Sequence, residues 1–173
     1  MVRVRNERTG SLAPGDMVGV AVGEAVHGGS CVARTSTGLV LFVRHALPGE
    51  QLRAVITQTT TTFARADAVE ILAAAPGRVN APCPYARPGG CGGCDWQHAT
   101  LPVQRQIKAQ VIKQQFSRIA ALDPTSMAVT VEPLQPDDAG LGWRTRVRFA
   151  VGKDGRAWLY RHRSHEIVRS AIA

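Results

Sequence analysis

Aromatic residues are scarce in this 173-residue chain, 5% against 45% for all hydrophobic types. The hydrophobic content is ordinary, and the length allows one domain, or two small ones, with a proper core. No apolar run reaches the roughly 18 residues a membrane-spanning helix needs. The N-terminal MVRVRNERTG is basic but lacks the apolar stretch of a signal peptide, so a cytoplasmic protein is expected. Acidic side chains are also in deficit. Lys and Arg number 21 against 13 Asp and Glu, giving a net charge of +8. The excess is uneven: residues 1–72 carry +1, and residues 143–173 alone carry +6. Such a bias favours a polyanionic partner, nucleic acid first, because cationic side chains release condensed counterions from phosphates. Cysteine is limited to four, too few for a disulfide framework in a chain of this length. Three of them cluster at Cys83, Cys91 and Cys94, with no fourth beside them.

The remaining sequence divides by its periodicity. From Leu12 to Leu72 the alternation is too fast for a helix. After a turn at APGD, MVGVAVGEAV, SCVART, LVLFVRHA, QLRAVITQT and TTTFARADAVEIL read as five strands, with turns at HGG, STG and LPGE. In the last of these, Gly49 is expected to supply a positive φ. Five short strands at this spacing predict a small OB-type barrel. Residues 73–98 hold too many Pro and Gly for regular structure, so a ligand is expected to organise them. A helix follows, with Thr100 as candidate N-cap and Pro102 in its first turn. Its apolar positions Ile107, Val111, Ile112, Phe116 and Ile119 recur at helical spacing up to about Leu122. Strand patterns return in MAVTVEPL, WRTRVRFAV, RAWLYRHR and HEIV.

In WRTRVRFAV a period of two places Arg144, Arg146 and Arg148 on one face, opposite Trp143, Thr145, Val147 and Phe149. Same-face arginines on a strand stand about 7 Å apart, comparable to phosphate spacing, and three like charges repel unless an anion lies across them. With only Asp154 and Glu166 nearby in sequence, this face is a candidate RNA-binding site, extended by Arg161 and Arg163.

The cysteines read C-x7-C-x2-C in CPYARPGGCGGCDWQH, residues 83–98. A CxxC pair can share a metal across a tight turn, and Gly92-Gly93 lets backbone N–H groups approach the sulfurs. Two occupants fit the pattern. Zinc would take Cys83, Cys91, Cys94 and His98 as a Cys₃His set. An iron–sulfur cluster would need a fourth cysteine from elsewhere. The remaining cysteine, Cys31, sits in a strand pattern and reads as a small apolar residue rather than a ligand.

These residues carry a family likeness. GDMVGVAV, VHGGSCVAR and ALPGEQLRAVI resemble a TRAM domain, CPYARPGGCGGCDWQH resembles an iron–sulfur loop, and WRTRVRFAV to YRHRSHEIV resembles an RNA-cradling central domain. All three occur in the N-terminal part of the RNA uracil-5-methyltransferases that act on ribosomal and transfer RNA. The resemblance implies a mainly β chain with one long helix. Its parts would be a flexible lead (1–8), an OB-like TRAM barrel (9–72), a cysteine loop (73–98) and an incomplete α+β central domain (99–173). Cys83, Cys91 and Cys94 would be three of four ligands to a 4Fe–4S cluster, the fourth lying past the segment matching His165-Glu166-Ile167-Val168. The S-adenosylmethionine site, the nucleophile and the base belong to a following domain, so this chain alone is expected to be a monomeric RNA-binding part without turnover. The competing reading is a stand-alone TRAM and zinc-knuckle RNA-binding protein.

Overall fold

The computed structural model describes residues 3–4, 12–134, 140–142 and 145–168. Its elements run β1 (Arg3–Val4), β2 (Asp16–Val26), β3 (Ser30–Arg34), β4 (Val40–Arg44), β5 (Gln51–Thr59) and β6 (Phe63–Ala73). Then come α1 (Leu101–Ala120), β7 (Ala150–Val151), β8 (Ala157–Tyr160) and β9 (Ile167–Val168). Strands β2 to β6 close into a barrel in the order β2-β3-β4-β6-β5, with β5 returning to β2. Every pairing is antiparallel except β4 with β6, which is parallel. Closure rests on β2 serving two neighbours. Met17–Ala21 pair with β5, and Val22–Val26 pair with β3. The register shifts between Val22 and Ala25, and a bulge of this kind bends a strand enough to turn a sheet corner.

Period-two alternation explains what lies inside. Leu52, Ala54 and Ile56 of β5 are buried while Gln51 and Arg53 are exposed. Ala64, Ala66 and Ala68 of β6 face Val18, Val20 and Val22 of β2, Cys31 and Ala33 of β3, and Leu41 and Val43 of β4 in one cluster. A five-stranded barrel has a narrow interior, and alternating alanines with Leu, Ile and Val fills it. No aromatic ring is among its buried residues, which is where the low aromatic content is absorbed. The expected turn at Leu47–Glu50 is present, with Gly49 at φ +86°.

Beyond the barrel, the chain pairs with itself before α1 begins. Val79 N–H donates to His98 C=O at 3.0 Å and Thr100 N–H to Gly77 C=O at 2.8 Å, with Arg78 bridged to Ala99. This neck closes residues 80–97 into one loop. Thr100 occupies the N-cap position of α1 and a proline lies in its first turn, although the Thr100 hydroxyl makes no capping bond. Ala121, at φ 52°, ends the helix in the left-handed region.

The structure departs from the sequence pattern in three places. Ile107 is the buried residue of α1, whereas Ile112, Phe116 and Ile119 are exposed, the last by 81%. The helix packs on the barrel through Val103, Ile107 and Val111 and is tied to it again where the Gln114 side-chain N–H donates to Glu24 of β2 at 2.8 Å, so its apolar spacing does not by itself report burial. No strand spans 143–149 among the described residues. Residues 145–149 have no ladder partner, and pairing begins at Ala150. An isolated strand of alternating arginines has neither backbone partners nor a relieved charge, so the alternation is insufficient by itself. Trp143 and Arg144 lie outside the described residues. Within the expected lead, Arg3–Val4 pair in parallel with Asp16–Met17.

One buried ion pair fastens the barrel to the segment that leaves β6. Glu50 is 0% exposed, and its carboxylate accepts bonds from Leu47 N–H at 2.8 Å, Ala75 N–H at 3.2 Å and the Arg78 guanidinium. Arg78 also donates to His45 C=O at 2.9 Å. Burial by itself would raise the Glu50 carboxyl, but the bonds from Arg78, Leu47 and Ala75 outweigh it and hold it below its ordinary 4.5. Removing one member of such a pair leaves a buried charge uncompensated. Glu50→Gln and Arg78→Met should each lower unfolding free energy by about 3–5 kcal/mol in urea titrations. Because the carboxyl is depressed in the folded chain, its contribution is complete above its unfolded pKa. That contribution is lost as pH falls through the lower folded value, and Glu50→Gln should lack this acid-side dependence.

Candidate nucleic-acid interface and cysteine loop

The cysteine loop is seated on the β4–β5 corner through polar contacts to consecutive residues. Arg44 binds the Asp95 carboxylate at 3.0 Å. His98, buried beneath the loop, has Nε2 3.2 Å from Ala46 C=O, which makes that nitrogen the protonated donor. Its ring lies 5.8 Å from the Trp96 ring and 6.1 Å from that of His45. His45 is itself buried at φ 60°, and its Nε2 has no partner. Burial, with the Arg44 charge adding to it, pushes His45 down to about 3, so it stays neutral across the physiological range. Gly29 completes the seat, since a Cβ there would come within 2.3 Å of the Asp95 carboxyl carbon.

Within the loop, backbone hydrogen bonds set the positions of the thiols. Cys91 N–H donates to Tyr85 C=O at 2.9 Å, Ala86 N–H to Cys83 C=O at 3.0 Å, and Cys83 N–H to the Gln97 side-chain oxygen at 3.1 Å. Gly93 N–H approaches Cys91 Sγ at 3.3 Å, the kind of bond that stabilises a thiolate. Gly92 has a different purpose from the one its sequence suggests. A Cβ there would lie 2.9 Å from His162 Cα, because the loop pairs with the segment after β8. Gly92 N–H donates to Tyr160 C=O at 3.2 Å, His162 N–H to Gly90 C=O at 3.3 Å, and Cys91 bridges Arg161.

Cys83, Cys91 and Cys94 are half-buried and free. Soft sulfurs on a glycine-rich backbone, with an N–H aimed at one of them, have the chemistry of thiolate metal ligands. Among the described residues, no three Cys, His, Asp or Glu side chains converge in coordination geometry. Neither suggested fourth ligand stands ready. His98 is tied to Ala46 C=O, and Cys31 donates its S–H to the same carbonyl at 3.4 Å. Burial, with the Glu50 charge adding to it, pushes the Cys31 thiol up to about 12, so it is not a thiolate at neutral pH.

The cations expected to face RNA are distributed differently from the sequence reading. Arg146 and Arg148 are exposed in the unpaired segment before β7. Arg161 is paired with Glu166 at 3.1 Å. Arg163, exposed at φ 52°, stands beside the barrel within electrostatic reach of Arg65. On the outer face of β4 and β6, Phe42 is directly opposite Arg65 in the parallel register. Phe42 and Phe63 meet edge to face at 5.5 Å, and the Arg65 guanidinium lies 5.7 and 5.2 Å from their centroids. Phe42, Phe63, Arg65 and Arg44 were not among the sequence candidates. Strand alternation marks them as outward-facing, but only the β4–β6 pairing brings them together.

Residues 12–69 match the TRAM domain, and the closed barrel is a domain of that class. The likeness then extends beyond the barrel. Over 161 residues, 88% of this chain, it is 53% identical to an RNA methyltransferase of Streptomyces avermitilis, of which it covers 37%. An RNA methyltransferase of Streptomyces coelicolor gives the same identity over 35% of its length. The 23S rRNA (uracil(1939)-C(5))-methyltransferase RlmD of Chromohalobacter salexigens is 36% identical over 88% of this chain and 30% of that protein. The chain is thus similar to a part of these RNA methyltransferases and spans well under half of their length.

The differing environments of the thiols predict differing reactivity. In metal-free, reduced native chain, iodoacetamide should alkylate Cys83, Cys91 and Cys94 and leave Cys31 unmodified until denaturant is added, as read by peptide mass spectrometry.

Proposed function

We propose that the chain is the RNA-recognition part of an S-adenosylmethionine-dependent RNA (uracil-5-)methyltransferase, acting on ribosomal RNA. The observation that carries this reading is that likeness to RNA methyltransferases runs past the TRAM barrel through the cysteine loop and the basic region, over 88% of the chain. In this reading the barrel, the loop and the 161–164 turn hold and orient the RNA. S-adenosylmethionine and the group that attacks uracil are supplied outside residues 1–173. Cys83, Cys91 and Cys94 would hold a 4Fe–4S cluster, which supplies rigid cross-linking of a loop that has no apolar core of its own. The loop's backbone pairing to residues 160–162 then fixes the position of the basic turn.

The chain should bind a uridine-containing 23S rRNA fragment with affinity falling linearly on a log–log plot against salt, and show no methyl transfer alone with S-adenosylmethionine. Purified without oxygen, it should be brown with iron and sulfide in equal amounts, and Cys91→Ser should lose both. Colourless protein with stoichiometric zinc would replace the cluster assignment with a knuckle.

A further inference from the structure

The barrel contains two aromatic residues, Phe42 and Phe63, and neither is in its core. Both stand half-buried on the outer face of β4 and β6. Between them lies a cation that no acid neutralises. Among the described residues no carboxylate is within ion-pair distance of Arg65 or of the neighbouring Arg163. The closest acid along the strand, Asp67, stands opposite Arg44 and accepts from Gly89 N–H at 3.4 Å. Two unneutralised guanidiniums brought together repel, and burial with the Arg163 charge makes the Arg65 cation harder to keep. An anion at this place would remove that cost. The ring contacts hold the Arg65 guanidinium beside two half-buried rings set edge to face, and an arginine or aromatic π-face of this kind takes the face of an unpaired base.

We infer that Phe42, Phe63 and Arg65 form a stacking subsite for one unpaired nucleotide of single-stranded RNA, whose phosphate is held by Arg163. This rests on the RNA-binding reading above and adds to it a place and a selectivity. A base inside a duplex has no free face to offer, so the subsite prefers single strands. The recognition is of the π-face and one phosphate, not of base edges, and therefore tolerates different bases.

The test uses the full chain, a single-stranded RNA dodecamer carrying one 2-aminopurine, and the same strand in a duplex. Unsubstituted chain should quench 2-aminopurine fluorescence in the single strand and bind the duplex more weakly. Phe42→Leu and Phe63→Leu keep apolar volume and remove the π-face. Each should weaken single-strand binding by about fivefold or more. Arg65→Lys keeps the charge and loses the plane, so quenching should fall while the salt slope stays. Arg163→Gln should reduce that slope by about one. Circular dichroism and thermal unfolding identify any variant that fails to fold, and Arg65→Lys and Arg163→Gln, both partly or fully exposed, give the answer where a Leu variant does not. RNA binding that is indifferent to all four substitutions overturns the subsite and leaves the wider reading standing. Equal binding of an oligoglutamate peptide and the RNA also overturns it, because charge alone would then suffice. Absence of RNA binding by the unsubstituted chain overturns both.

Discussion

Glu50 is a carboxylate without water, and the arrangement of the chain around it is set by satisfying that charge. It lies at the end of the Leu47–Glu50 turn, accepts from that turn's own first amide, and draws Ala75 and Arg78 back onto the barrel after β6 has left it. Arg78 in turn starts the neck that pairs with residues 98–100. The β4–β5 corner therefore serves as an anchoring point as well as a connection. Arg44, His45, Ala46 and Glu50 each carry a contact to the loop, the neck or both. Replacing these contacts with apolar ones would keep the segments together. It would not fix their orientation as a bidentate guanidinium does.

Apart from β1 at Asp16–Met17 the barrel's ladders are closed on themselves, and among the described residues the cysteine loop makes no ladder with them. Side chains make that attachment instead. The loop's backbone pairs elsewhere, with residues 160–162 beside the small β7–β9 sheet. The loop thus touches both partners by different means, and the basic turn at 161–164 reaches the barrel's outer face through it. In the proposed function this is how the RNA-facing parts from distant stretches of sequence form one surface.

The barrel strands and their turns were legible in the sequence because each obeys a local rule: period-two burial, or a glycine at a positive φ. The loop was legible by composition, since its glycines and prolines exclude regular structure. What escaped depends on pairings between distant residues. Phe42 and Arg65 are 23 positions apart and meet through the one parallel ladder of the barrel. Glu50 looked like a turn residue because its partner, Arg78, lies in a loop. His98 has the spacing of a zinc ligand and is occupied by a carbonyl from the β4–β5 corner. Arg146 and Arg148 show the converse error, since among the described residues alternation there has no neighbouring strand to pair with. In α1 the helical spacing is matched by a helix, but spacing alone does not say which apolar positions are covered: Ile107 is buried and Ile119 is exposed.

The short neck at residues 77–79 and 98–100 bears on how this region can vary. Its backbone bonds and the Glu50–Arg78 pair hold the loop's two ends side by side whatever lies between them. Lengthening a loop whose ends are already fixed costs little, about 0.6 kcal/mol for each doubling. That low cost applies only to residues that make no fixed contact inside the loop. Both cysteine spacings are held, the first by the Cys91 bond to Tyr85 C=O and the pairing of Gly90 with His162, the second by Gly92 against His162 and Gly93 against Cys91. A change of length on either side of Cys91 therefore disturbs one of these bonds.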